Sequence, residues 1–355
     1  MSALPLASAD LPGVGGKLRV RDEDFVVEEV PAYGPSGAGE HVFVTIEKRD
    51  LTTAEAVKRI ARALDVRPPD IGVAGLKDRH AITRQQLSLP RPVTPEQALA
   101  LQVEGVKVLA AARHGNKLKT GHLYGNRFVL TVRELAVPVA EAAERARAIF
   151  ARLTAPPGVP NFYGEQRFGA RGDNAERGRA LLRGERVVPP VTDGREARFL
   201  ISSVQSELFN AYLTQRLNDG RYARVIAGDV LAKVKTGASF ASEDPAAEQA
   251  RLEAGEITPT GPMFGGRMRA PAAGSEAAAL EDAVLAASGL TLAVIGRHHL
   301  AEGTRRPVGV PLGDPVVEAL PEESALRLTF SLPAGAYATV VAAEVMKRDD
   351  APLLP

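Results

Sequence analysis

The sequence predicts a mixed α/β protein of about two domains, and three observations carry that prediction. Both periodicities are present. His41-Val-Phe-Val-Thr-Ile-Glu47 reads as a strand, while Val57, Ile60, Ala61 and Leu64 fall at i, i+3, i+4, i+7 and give a helix one buried face. A chain of 355 residues is too long for one small core, and Pro156-Pro-Gly-Val-Pro160 interrupts it. Near the end a strand over 326–330 is followed by Leu332-Pro-Ala-Gly-Ala-Tyr-Ala-Thr339 turning into a helix, and such a strand needs an earlier sheet to join.

In chain order, residues 17–30 show partial alternation. Leu18 and Val20 share one face, and Phe25 and Val27 follow on the next strand. Gly13-Val-Gly-Gly-Lys17 is not a phosphate loop, because Leu18 stands where Ser or Thr is needed and Leu11 where the first Gly is needed. Thr52-Thr-Ala-Glu55 is a capping box opening the first helix, which Pro68-Pro69 stops. Gln86-Leu-Ser-Leu89 is a short strand. Thr94-Pro-Glu-Gln97 opens a second helix with Pro in its first turn.

Strands are expected at 106–112 and 129–133, the latter after a polar, exposed lead-in, Gly121-His-Leu-Tyr-Gly-Asn-Arg-Phe128. An Ala-rich amphipathic helix should cover 139–153. Further helices are expected at 174–182, 195–217 and 281–288. In the 195–217 helix, Phe199, Leu200, Val204, Leu208 and Tyr212 form one stripe, read as core. Residues 235–280, rich in Ala, Glu and Gly, read as loops with short structure. No internal repeat is evident.

Composition narrows the chemistry. Hydrophobic residues make 45% and charged residues 25% of the chain, the balance of a soluble globular protein. The absence of cysteine excludes disulfides, zinc–thiolate sites and cysteine nucleophiles, and fits a reducing, cytoplasmic compartment. No signal peptide is read at the N-terminus, and no apolar run reaches the ~20 residues that span a bilayer, so no membrane partner is expected. The net charge of +1 does not mark a nucleic-acid binder. An RNA partner requires basic charge gathered on one face, for which Arg79 to Arg84, Arg113 to Lys119 and Arg305-Arg306 are available clusters. His298-His299, the one adjacent His pair, lacks an acidic partner at ligand spacing, so no metal is expected.

The densest chemistry lies in Ala74-Gly-Leu-Lys-Asp-Arg-His-Ala-Ile-Thr-Arg-Gln85. Asp78 stands between Lys77 and Arg79, with His80 and Arg84 close by. Neighbouring cations favour an ionised carboxylate, which can serve as nucleophile, base or metal ligand. They also suit a polyanionic substrate. Lys77, Arg84, Arg19 and Arg21 are the candidate cations for Asp78.

Gly75-Leu-Lys-Asp-Arg-His-Ala-Ile-Thr-Arg-Gln85 resembles the catalytic motif of the TruD family, the tRNA pseudouridine synthases D. Further stretches resemble that family in the same order, from Phe25 to about Lys347. They are Asp24-Phe25-x-Val27-x-Glu29, Gly125-Asn-Arg-Phe128, Asn161-Phe-Tyr-Gly-Glu-Gln-Arg-Phe-Gly169 (with Phe162 and Tyr163 in swapped order) and the Phe330 to Thr339 ending. The resemblance implies Asp78 as the catalytic carboxylate. It implies Phe25, Asn126, Phe128 and Phe330 as the substrate-binding residues around a flipped uridine, with Asn126 holding the catalytic Asp or the uracil. The Asn161 to Gly169 stretch receives no chemistry.

The resemblance further implies a catalytic domain with a central mixed, mainly antiparallel sheet, built from 1–151 and 303–355. A second α/β domain, 152–302, is inserted into it. The implied reaction is isomerisation of a uridine, uridine 13, in tRNA, with no cofactor and no metal, by a monomer in the cytoplasm. A non-catalytic RNA-binding or chaperone protein of the same fold is the alternative. A carboxylate hydrolase using Asp78 with Glu165 is a third class.

Overall fold

The computed structural model describes residues 4–77, 79, 81–169 and 171–347. Contacts divide the chain into two compact units. One comprises Gly13–Arg147 and Gly313–Gly335; the other comprises the segment ending at Pro12, Ala148–Leu312 and the segment starting at Ala336.

The first unit is built on one large sheet. Its strands run in the order Gly313–Leu320, Ala325–Pro333, Leu123–Leu135, Phe25–Pro31, Ile82–Leu89, His41–Lys48, Val106–His114. Short strands Gly15–Lys17 and Gly72–Val73 pair with Leu123–Leu135 and Ile82–Leu89. Among the described strands only Phe25–Pro31 and Ile82–Leu89 run parallel. The sheet is therefore mixed and mainly antiparallel, as expected. The late strand Ala325–Pro333 joins the much earlier Leu123–Leu135.

Helix Thr53–Ala63 covers part of the sheet. Its capping box is formed, since Thr52 Oγ1 accepts from Glu55 N and the Glu55 carboxylate accepts from Thr52 N. Its Ala56, Val57, Ile60 and Ala61 pack with Val42, Val44, Ile46, Leu87 and Leu89 of the sheet. Burying a side chain such as Ile60 contributes about 1.5–3 kcal/mol, and this holds the helix on that face.

Three elements of this unit differ from the sequence expectation. The strand expected at 129–133 begins at Leu123, so Asn126 and Phe128 lie inside it rather than in an exposed lead-in. It is paired on both edges by segments remote in sequence, which local polarity cannot reveal. The strand at Ile82–Leu89 starts earlier than expected because its first residues pair with Phe25–Pro31. Leu18 and Val20 lie outside any strand, where Arg19 takes a left-handed φ of 57° that interrupts extended backbone.

The second unit is organised on helix Gly194–Asn218 and a sheet of order Ser239–Ala241, Val230–Lys233, Ile257–Met263, Thr304–Pro307. Leu200, Val204, Leu208 and Tyr212 are core, as expected. Phe199 is not, with 40% of its surface exposed. It stands about 100° around the helix from Leu200, off the buried stripe.

Residues 235–280 hold more structure than expected. Helix Pro245–Glu253 is capped by Asp244, and every residue of strand Ile257–Met263 is buried. Pro259 and Pro262 disguise that strand in the sequence, while strands on both sides enforce it. The helix expected at 281–288 is Glu276–Ala287, opened by the Ser275 cap. The first described residues meet the last helix within this unit. The buried Glu344 carboxylate of helix Ala338–Met346 accepts from Ala7 N at 2.7 Å and Ser8 N at 3.1 Å.

Candidate active site

Alternation along the strands gathers the expected pocket residues onto one face of the large sheet. Phe25, Val27 and Glu29 project together from their strand. Asn126 and Phe128 do so from the next, facing Glu29 and Val27 respectively. Phe330 lies directly opposite Phe128, and their ring centroids are 5.5 Å apart. Exposure falls from Phe128 at 6% and Phe25 at 5% to Phe330 at 0%. Four residues spread over most of the sequence thus form one apolar patch with an amide at its edge. Among the described residues, the buried Asn126 Oδ1 finds no hydrogen-bond donor. A buried acceptor without a donor costs about 1–3 kcal/mol and is a place where a ligand N–H can bind.

Asp78 itself lies outside the described residues, as does His80. The residues flanking position 78 are pinned. Lys77 Nζ reaches Glu29 Oε2 at 3.1 Å, with side chains only 7% and 1% exposed. Lys77 N donates to Thr53 Oγ1 at 2.8 Å, and Thr53 Oγ1 donates to Gln85 Oε1 at 2.9 Å. Arg79 pairs with Glu55 at the start of helix Thr53–Ala63. The Thr52 backbone hydrogen bond, followed by the Thr52 hydroxyl and Arg79, holds the Glu55 carboxyl below its ordinary range. Gly121 N donates to Ala74 O at 2.8 Å, fixing the loop's entry.

Gly75 has a specific reason to be glycine. A Cβ there would meet Lys77 Nζ at 3.0 Å and Glu29 Oε2 at 3.2 Å, crowding the ion pair.

The four candidate cations separate. Lys77 is engaged by Glu29. Arg84 projects from the opposite face, where it pairs with Glu28 and, at 3.0 Å, with Glu47. The Glu47 hydrogen bond, then Glu28, raises its pKa further. Arg21 is exposed. Arg19 lies over the Phe25 ring, 4.2 Å from its centroid, on the pocket side.

Glu29, Thr53 and Gln85 were not singled out from sequence. Glu29 and Gln85 sit inside the quoted motifs, but their partners are remote, and pairing across strands and a helix is invisible to local pattern.

The basic pair Arg305-Arg306 is internal rather than free for phosphate. Arg305 reaches Glu281 Oε1 at 2.7 Å, both nearly fully buried, and Arg306 donates to Asn161 Oδ1 at 2.6 Å and lies 4.0 Å from the centre of the Tyr163 ring. The Asn161 to Gly169 stretch is largely packing, with Phe162 and Phe168 buried and Asn210 bonded to both the N–H and the carbonyl of Tyr163. No group of three or more His, Asp or Glu side chains suited to a metal occurs among the described residues. No helix among them is long and apolar enough to cross a membrane.

Comparison with known proteins bears on this geometry. The family model described as tRNA pseudouridine synthase D (TruD) matches residues 5–187 and 194–345. A tRNA pseudouridine synthase D of Anaeromyxobacter dehalogenans is 49% identical over 354 residues, covering 98% of each chain. One from Thermus thermophilus is 46% identical over 347 residues, covering 97% of this chain and 92% of the relative. A crystal structure of a Methanosarcina mazei protein assigned as tRNA pseudouridine synthase D superposes with a TM-score of 0.80 at 25% identity, covering 98% of this chain and 97% of that one.

Proposed function

Because the chain belongs to the tRNA pseudouridine synthase D (TruD) family, we propose that it isomerises a uridine of tRNA, uridine 13, to pseudouridine, with Asp78 as the catalytic carboxylate. One observation supports the reading above others. Phe25, Asn126, Phe128 and Phe330 converge on one sheet face, the face from which Glu29 pins the Lys77 that precedes Asp78.

The chemistry breaks an N-glycosidic bond, turns the uracil and joins C5 to C1′. The uridine must first leave its stack, which costs a few kcal/mol. Aromatic contacts repay about 1–3 kcal/mol per stacked base. Phe128 and Phe25 offer the contact surface, and Phe330 backs Phe128. Asn126 Oδ1 accepts a uracil N–H. The Asp78 carboxylate then either attacks C1′ or removes the C2′ proton to give a glycal. Both routes need the ionised form, which Arg19 on the pocket side favours. The loop's ties to Glu29, Thr53 and Glu55 orient it, as near-attack geometry requires.

On this reading 1–151 and 303–355 build the catalytic domain and 152–302 is the insertion. The compact unit of Gly13–Arg147 with Gly313–Gly335 carries the pocket and draws on both parts of that domain. The protein acts as a monomer in the cytoplasm.

The test is tritium release from unmodified tRNA labelled at uridine C5, which exchanges on isomerisation. The parent should release tritium, the Asp78→Asn variant should release none, and a transcript with cytidine at position 13 should give none with either. Parent protein that binds tRNA without release would replace this reading with the RNA-binding alternative. Release that persists from the position-13 transcript would move the target elsewhere.

A further inference from the structure

Within the second unit an open cleft of about 840 Å³ is lined by residues that include Arg167, Asp193, Arg195, Arg198 and Phe199. It is wide and open to solvent, a shape that suits one nucleotide of a long polymer rather than an enclosed small molecule. Its charge is one-sided. Arg195 and Arg198 are exposed, and neither side chain is engaged by an acid among the described residues. The single lining carboxylate, Asp193, is already used, since its Oδ1 accepts from Arg195 N and Glu196 N at 2.8 Å each. The start of helix Gly194–Asn218 is therefore capped by its own chain, and the site depends on the arginine side chains.

The aromatic member is the residue that departs from the helix's buried stripe. Phe199 is 40% exposed, and the Arg167 guanidinium lies 5.4 Å from its ring centroid. Arg167 is held by its Nε donating to Ser206 Oγ at 3.1 Å and by its approach to the Tyr163 ring. It is the one residue of the Asn161 to Gly169 stretch that lines this cleft. A large exposed aromatic ring costs solvation, and here Arg167 lies beside it while Arg195 and Arg198 line the same cleft. Guanidinium groups beside an accessible ring match the phosphates and the π-face of an unstacked nucleotide.

We propose that this cleft binds an unpaired nucleotide of the RNA substrate, with Phe199 stacking on the base and Arg195 and Arg198 taking the flanking phosphates. Arg167 steadies the ring from the side. The proposal rests on the synthase reading for the identity of the RNA. It adds a second grip, on a nucleotide other than the isomerised uridine, carried by residues that take no part in the bond-making.

The experiment compares the full-length parent with the Arg195→Gln/Arg198→Gln pair and with Phe199→Leu. Each is titrated with unmodified tRNA transcript at several salt concentrations, and turnover is followed by tritium release at saturating tRNA. All three side chains are exposed, so melting temperatures should match the parent's. The arginine pair should bind about tenfold or more weakly, and its log K against log salt slope should shrink by about 1.4–1.8, the change for two lost phosphate contacts. Phe199→Leu should weaken binding about 5–150-fold with the salt slope kept, as loss of one stacked base predicts. In both, affinity should fall by more than turnover at saturating tRNA.

Parental affinity and slope in both variants would overturn the proposal, as would an unchanged slope in the arginine pair or an unaffected Phe199→Leu. If the parent releases tritium while the variants bind as it does, the cleft proposal falls and the synthase reading stands. If the parent releases none, the synthase reading falls, and the titration still decides whether the cleft holds RNA.

Discussion

The two faces of the large sheet use the same strands and reach opposite ends. On one face, alternate residues supply Phe25, Phe128 and Phe330, the Glu29 that pairs with buried Lys77, and an Asn126 acceptor without a donor among the described residues. On the other, the intervening residues supply Glu28, Glu47, Arg84 and Arg127, whose charges are matched to one another, Arg127 reaching Glu28 at 3.2 Å. The first face keeps unmet polar capacity in a dry setting, where electrostatic interactions are strong. The second spends its charge locally in water, where each exposed pair contributes about 0–1 kcal/mol. Density of charge is therefore a poor guide to a site, and unsatisfied polarity under apolar cover is a better one.

Substitutions sharpen that contrast. Beyond Asp78→Asn, the largest effect should come from Glu29→Gln, which leaves Lys77 charged and buried without its partner. We expect a stability loss of about 3–5 kcal/mol in urea melts. Tritium release should fall more than tenfold under conditions where the protein stays folded. Adding Lys77→Met should restore much of the stability without restoring turnover. Full turnover in the folded single variant would remove the pair from the loop's positioning.

A smaller effect is expected for Asn126→Ala. Losing one acceptor for the uracil should cost about 10–100-fold in kcat/KM, the yield of a hydrogen bond of about 1.4–2.7 kcal/mol. Stability should change by less than about 1 kcal/mol, because Oδ1 has no donor to lose among the described residues. Parental kcat/KM would deny Asn126 its reading role.

The smallest effect is expected on the charged face. Arg84→Gln should alter stability by about 0–1 kcal/mol and leave turnover at saturating tRNA unchanged. A collapse of turnover would break the comparison, by showing that Arg84 serves the pocket through the sheet.

Much of this protein is legible in its sequence alone. The capping box at Thr52 and Glu55, the helical stripe of Leu200, Val204 and Leu208, and the strand over 41–47 depend on neighbours within a turn or a pleat, and local pattern carries that information. The TruD resemblance came from contiguous motifs for the same reason. Tertiary structure decided the rest. It turned the lead-in at Leu123 into a central strand by pairing it on both edges, and it ordered a proline-bearing strand at Ile257–Met263 between two others. It sent Arg84 away from the pocket while joining Lys77 to Glu29, and left Phe199 outside the core that its spacing suggested. Those outcomes turn on which face a residue occupies and what arrives opposite it from elsewhere in the chain, and neither is a property of a local segment.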